Sequence, residues 1–128
     1  MELTQEYAEQ YMNNTIEEFH EIFLNKGFDP LSERSGWCLC IETEWENEDG
    51  DIWRTTQADD NDPEYEGYVK KRTRILISWG GPGAWFHVTA ETREVSFGMA
   101  WWSPEITVKV PEDFADTLLS EAEMMGWP

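Results

Sequence analysis

Lysine and arginine are scarce in this chain. Its 128 residues carry 9 of them against 27 aspartates and glutamates, a formal net charge of −18 at pH 7. A field of that sign opposes contact with nucleic acid and with anionic membranes, and it favours basic partners. Histidine is limited to His20 and His87, and cysteine to Cys38 and Cys40. No apolar run approaches the roughly 18–20 residues that a membrane span needs. The acidic, polar opening MELTQEYAEQ does not read as a secretory signal, so a cytoplasmic protein is expected.

What the chain does have is bulk. It is 40% hydrophobic and 14% aromatic, with eight tryptophans, and a disordered acidic chain is poor in those residues. Residues 1–128 read as a single domain, long enough to bury a core without staples.

Leu3, Tyr7, Tyr11, Ile16, Phe19 and Phe23 recur at helical spacing, which predicts a helix over residues 4–25 with Thr4 as its cap and Gly27 at its end. Thr15-x-x-Glu18 is a second capping pattern, and it predicts a break at Asn13-Asn14. From residue 37 the period changes to two. Trp37, Leu39, Ile41, Thr43 and Trp45 share one strand face, while Cys38, Cys40, Glu42, Glu44 and Glu46 share the other. Asp49-Gly50 marks a hairpin, and further strands are expected at 52–58, 73–79, 85–90, 95–102 and 106–110. Pro111 opens a last helix that Gly126 closes. The fold class is therefore α+β: an antiparallel sheet of about six strands with an N-terminal and a C-terminal helix packed on it.

Several chemistries fail on spacing. Gly80-Gly81-Pro82-Gly83 lacks the lysine of a phosphate loop and lies between two strand patterns, as a hairpin turn does. The acidic stretches do not carry the spacing of a calcium loop, since Gly50 counts back to Trp45 and Asp59-x-Asn61 runs into Pro63. Cys38 and Cys40, two apart on a strand, would stand about 6.5–7 Å apart, too far for a mutual disulfide. With His87 they make an alternative site for a small enzyme or a metal-binding domain, although no further ligand pair completes a zinc centre. The expected catalytic, metal and cofactor sets are empty.

The acids between residues 42 and 66 are the most unusual feature: Glu42, Glu44, Glu46, Glu48, Asp49, Asp51, Asp59, Asp60, Asp62, Glu64 and Glu66, opposed in that interval only by Arg54. Solubility, adaptation to salt or an acidic variant of an ordinary fold account for the charge, as does a dedicated anionic surface. On the latter reading these acids bind a partner, with Trp45 and Trp53 as aromatic anchors. Trp37, Trp79, Trp85, Trp101 and Trp102 are expected in the core. Lys70, Lys71, Arg72 and Arg74 are expected to pair internally with the glutamates. Changing Glu42, Glu44 and Glu46 to Gln is expected to leave the fold intact or to stabilise it, because like charges so aligned repel.

Net charge, the 42–66 acids and the short aromatic-rich layout around ILISWGGPGAWFHV resemble small acidic phage and plasmid inhibitors of CRISPR and restriction enzymes, several of which mimic DNA. The resemblance is one of class, without a shared motif. It implies a non-enzymatic inhibitor that occupies the basic groove of a nucleic-acid-processing protein. Immunity proteins against basic nuclease toxins are similar for the same electrostatic reason.

Overall fold

The structure, a computed structural model, describes residues 3–26, 29–32, 35–56, 67–101 and 104–128, Lys26 by its backbone alone. The expected cap at Gly27, the end of the second strand at Ala58, the acids Asp59, Asp60, Asp62, Glu64 and Glu66, and Trp102 lie outside the described residues.

The chain forms helix α1 (Gln5–Glu21), a π-helical turn (Ile22–Lys26), strands β1 (Cys40–Glu46), β2 (Ile52–Thr56), β3 (Val69–Ser78), β4 (Gly83–Thr89), β5 (Glu94–Ala100) and β6 (Ile106–Lys109), and helix α2 (Glu112–Met125). Thr4 caps α1 as expected, its hydroxyl accepting from the Tyr7 amide at 3.1 Å. The expected break at Asn13-Asn14 does not occur. Both asparagines face solvent, and the Thr15 hydroxyl donates back to the Tyr11 carbonyl at 2.8 Å instead of capping a new helix. Gly126 ends α2 in the left-handed conformation, φ 73°, and its amide donates to the Ala122 carbonyl.

The six strands make one antiparallel sheet in the order β2-β1-β3-β4-β5-β6, so the fold is α+β with both helices on the same face. The core is the layer between them. Alternate residues Phe86 and Val88 of β4, Phe97 and Met99 of β5, Ile75 of β3 and Val108 of β6 meet Ala8, Met12 and Phe19 of α1 and Phe114, Leu118 and Ala122 of α2. An aromatic chain runs through it: Phe19 stands edge-on to Trp37 and to Phe114, each at 5.0 Å between centroids, and Phe86 meets Phe97 at 4.9 Å. Such pairs add roughly 0.5–1.5 kcal/mol each beyond the area they bury.

The period-two pattern starts later than expected. Trp37 is buried, its indole N–H donating to the Thr15 carbonyl at 2.9 Å, and Cys38 also packs against the core, while Leu39 is exposed. Two consecutive inward side chains are possible there because regular pairing begins only at Cys40. Of the other tryptophans expected in the core, Trp79 is 75% exposed beside the β3–β4 turn, and Trp85 and Trp101 are half-buried.

Candidate functional site

Both helices pack on one face of the sheet, and on the other the charged residues of β1 meet those of β2, β3 and β4. The register sets two rows. One runs Arg54–Glu44–Arg72 across β2, β1 and β3, and the next runs Thr56–Glu42–Arg74–His87–Ser96–Lys109 across all six strands. Directly opposed residues have Cβ atoms about 4.5–5.5 Å apart, within reach of a salt bridge.

Glu44 is the centre of this arrangement and is wholly buried, at 0% exposure. Arg54 Nε donates to its Oε2 at 2.7 Å and Arg72 Nε to its Oε1 at 2.6 Å. His87 Nε2 stands 3.3 Å from Oε1, within ion-pair reach but off the line of a hydrogen bond. Burial by itself pushes the Glu44 carboxyl up. The contacts with His87 and Arg72 outweigh that and hold it well below the usual carboxylate range. Arg72 acts through a short charge-assisted hydrogen bond, whereas His87 acts through its proximity.

The neighbouring glutamates are paired as well. Arg74 Nη1 reaches Glu42 Oε1 at 3.3 Å, and Lys71 Nζ reaches Glu46 Oε2 at 3.0 Å. A bulge makes the second contact possible: Glu44 opposes Arg72 but Trp45 opposes Lys70, so Lys71 is the extra residue of β3. Consecutive residues of a regular strand point to opposite faces, whereas here Lys71 and Arg72 both serve the glutamate face. The internal pairing expected for the basic run therefore holds for Lys71, Arg72 and Arg74. Lys70 differs, lying over the Trp45 ring at 5.4 Å.

Trp85 supports Arg74 from the side. The guanidinium carbon is 4.7 Å from the indole centroid, and the indole N–H donates to Glu105 at 3.3 Å. The indole lies across Gly98, where an added Cβ would come within 2.5 Å of Trp85 Nε1 and 2.9 Å of its Cε2. Glycine at 98 is thus a steric requirement of the tryptophan that backs Arg74.

These contacts correct two expectations. Glu42, Glu44 and Glu46 are not an unopposed row, and Glu44 offers no surface to a partner. Their replacement by Gln removes attraction rather than repulsion. Trp45 is likewise only 8% exposed, its indole N–H donating to the Thr55 hydroxyl at 2.9 Å, while Trp53 opposite it is 41% exposed. Glu48, Asp49 and Asp51 do reach solvent at the β1–β2 turn, which Asn47 organises by accepting from the Asp49 and Asp51 amides at 3.0 and 2.8 Å.

The larger body of uncompensated acid is on the helices. α1 carries Glu6, Glu9, Glu17, Glu18 and Glu21, and α2 carries Glu112, Asp113, Asp116, Glu121 and Glu123. Neither helix contains a lysine or an arginine. All are exposed except the half-buried Glu121, and among the described residues one ion pair serves them, Arg93–Glu123 at 3.3 Å between two exposed side chains. Glu6, Glu112 and Asp113 sit in first turns, where the helix dipole favours an acid, but the amphipathic pattern does not require the other seven. The signal is present in the sequence, as helical segments without lysine or arginine, beside the denser 42–66 interval.

Cys38, Cys40 and His87 do not form a common centre. Cys38 packs against the core, Cys40 begins β1 near Glu42 and Arg74, and His87 turns to Glu44. Burial pushes the Cys38 thiol up to about 11, with Cys40 adding to the effect, and burial also raises Cys40. Neither thiol is activated as a nucleophile. Among the described residues no group of three or more His, Cys, Asp or Glu side chains is placed to hold a metal ion. Among the described residues no helix is long and apolar enough to cross a membrane.

Comparison with protein families, curated proteins and solved structures finds no match for this chain.

Proposed function

We propose that the protein is a non-enzymatic inhibitor whose acidic surface occupies the basic, nucleic-acid-binding groove of a CRISPR, restriction or other nuclease complex. The observation that carries this reading is the helical layer: ten carboxylates on α1 and α2 with no lysine or arginine between them. Acids three or four residues apart on a helix, as at Glu17, Glu18 and Glu21, stand about 5–6 Å from one another. Charge along one strand of duplex DNA is denser, about one per 3.4 Å of axis, so a match needs the acids of both helices together. Like charges at these positions destabilise a helix, so the fold gains nothing from them. Glu48, Asp49, Asp51 and the exposed Trp53 supply a second anionic edge at the β1–β2 turn. Relative to the contact expected from sequence, docking moves from the β1 strand to the helices.

The test is capture on tagged protein from a bacterial lysate carrying CRISPR and restriction systems, followed by elution with competing duplex DNA and, separately, with high salt. A nuclease complex released by both supports the reading. Binding that survives duplex DNA, or that a variant with Glu17, Glu18 and Glu21 changed to Gln retains in full, overturns it.

A further inference from the structure

A cleft of about 680 Å³ opens between the end of α1 and α2. Phe19, Phe23, Leu24 and Pro30 give it an apolar floor and wall, and Asp29 and Glu121 stand in its lining. Phe23 and Leu24 are 61% and 74% exposed, large apolar side chains that the core does not use. Both lie on the π-helical turn Ile22–Lys26 that follows α1, and Phe23 lines the cleft together with Phe19, one turn before it.

Among the described residues neither carboxylate is paired with a lysine or arginine, and His20 stands with them in the lining. The Glu121 carboxyl is pushed up, first by burial and then by the negative charge of Asp29. An apolar recess with two such carboxylates is complementary to a group that is apolar along its length and positive at its end. A second copy of this chain brings a charge of −18 to the same place and fits poorly.

We infer that this cleft receives a cationic amphipathic segment of the basic partner. An apolar side chain of that segment lies over Phe23 and Leu24, and an arginine or lysine places its charge beside Asp29 and Glu121. The inference rests on the proposed function for the existence of a basic partner, and it adds the place and chemistry of the anchor.

The probe is a pair of synthetic peptides of about 18 residues, long enough to hold a helix. They have identical Leu, Ala and Arg composition; one has leucines at i, i+3, i+4 and i+7, and the other has the order scrambled. The patterned peptide is expected to bind about tenfold tighter or better at 0.15 M salt, with amide shift changes concentrated at Phe23, Leu24 and Thr117. Phe23→Ser with Leu24→Ser, both at exposed positions, should abolish the preference while leaving the weak binding common to both peptides. Equal affinities, shift changes elsewhere, a preference that survives the double substitution, equal binding of a Gln-for-Arg peptide, or dimerisation through Phe23 in sedimentation would each overturn it. The two readings fail separately. Lack of release by duplex DNA is a failure of the decoy reading, whereas loss of peptide discrimination is a failure of the cleft.

Discussion

Arg72 Nε donates to Glu44 Oε1 at 2.6 Å, across β1 and β3 and across 28 positions of sequence. Arg54 holds the other carboxylate oxygen at 2.7 Å, so a glutamate without exposed surface has both oxygens in charged hydrogen bonds. A buried charge so placed is costly to unmake, because removing one partner strands the others.

Glu44→Gln is therefore expected to destabilise the protein by about 3 kcal/mol, the lower end of the range for breaking a buried pair, because Arg54 and Arg72 keep some access to solvent. Glu46→Gln, which breaks a pair exposed on both sides, should cost no more than about 1 kcal/mol. Urea unfolding of the two variants compares them directly. Equal midpoints would show that burial of Glu44 contributes nothing specific.

Acid unfolding should report the same carboxyl. Its folded pKa is depressed, so its contribution is fully present above the unfolded value, near 4.3, and is lost as pH falls from there toward the lowered folded value. The stability gap between the wild type and Glu44→Gln is expected to be constant from pH 7 to about pH 5 and to shrink below about pH 4. Glu121 has the opposite sign. Its raised pKa means that the charged form opposes folding near neutrality, so Glu121→Gln should stabilise the protein at pH 7, with the gain vanishing as pH falls.

Gly98→Ala places a methyl against the Trp85 indole, where the closest approach would be 2.5 Å. The ring must move, and with it the face on which Arg74 lies. A loss of about 1–3 kcal/mol is expected, as for overpacking elsewhere in a tightly packed protein. The Trp85 indole N–H resonance should shift while that of Trp37, on the helix side of the sheet, stays in place. An unmoved Trp85 signal would show that the ring has room that the structure does not.

Thiol reactivity offers a check of a different kind. With a pKa of about 11, about one Cys38 in a thousand is ionised at pH 8, and burial shields it further. Alkylation in the native state should be far slower than in urea, and Cys38→Ser with Cys40→Ser should leave partner binding unchanged. Rapid native-state labelling of Cys38 would contradict its placement against the core.

Element type was open to reading because period is local. The apolar spacing of Leu3, Tyr11, Ile16 and Phe19, the Thr4 cap, Pro111 and Gly126 mark both helices, and the alternation in Ile41–Glu46 marks β1. Asn13-Asn14 misled because side-chain competition with the backbone decides a helix end only where packing does not, and buried Met12, Thr15 and Phe19 hold α1 together across the pair. The shared face of Glu42, Glu44 and Glu46, and the composition of a net acidic α+β chain with helices free of lysine and arginine, follow from the residues themselves.

Whether those glutamates face water was decided elsewhere. Glu44 is buried because β1 lies between β2 and β3, which brings Arg54 and Arg72 to its two sides, and because a bulge admits Lys71 beside Glu46. Strand order and register are pairings between distant segments, and they carry no signature in the spacing of either segment alone. The exposure of Phe23 and Leu24 is of the same kind: their hydrophobicity is plain in the sequence, but whether the core covers them depends on how the end of α1 packs beside α2.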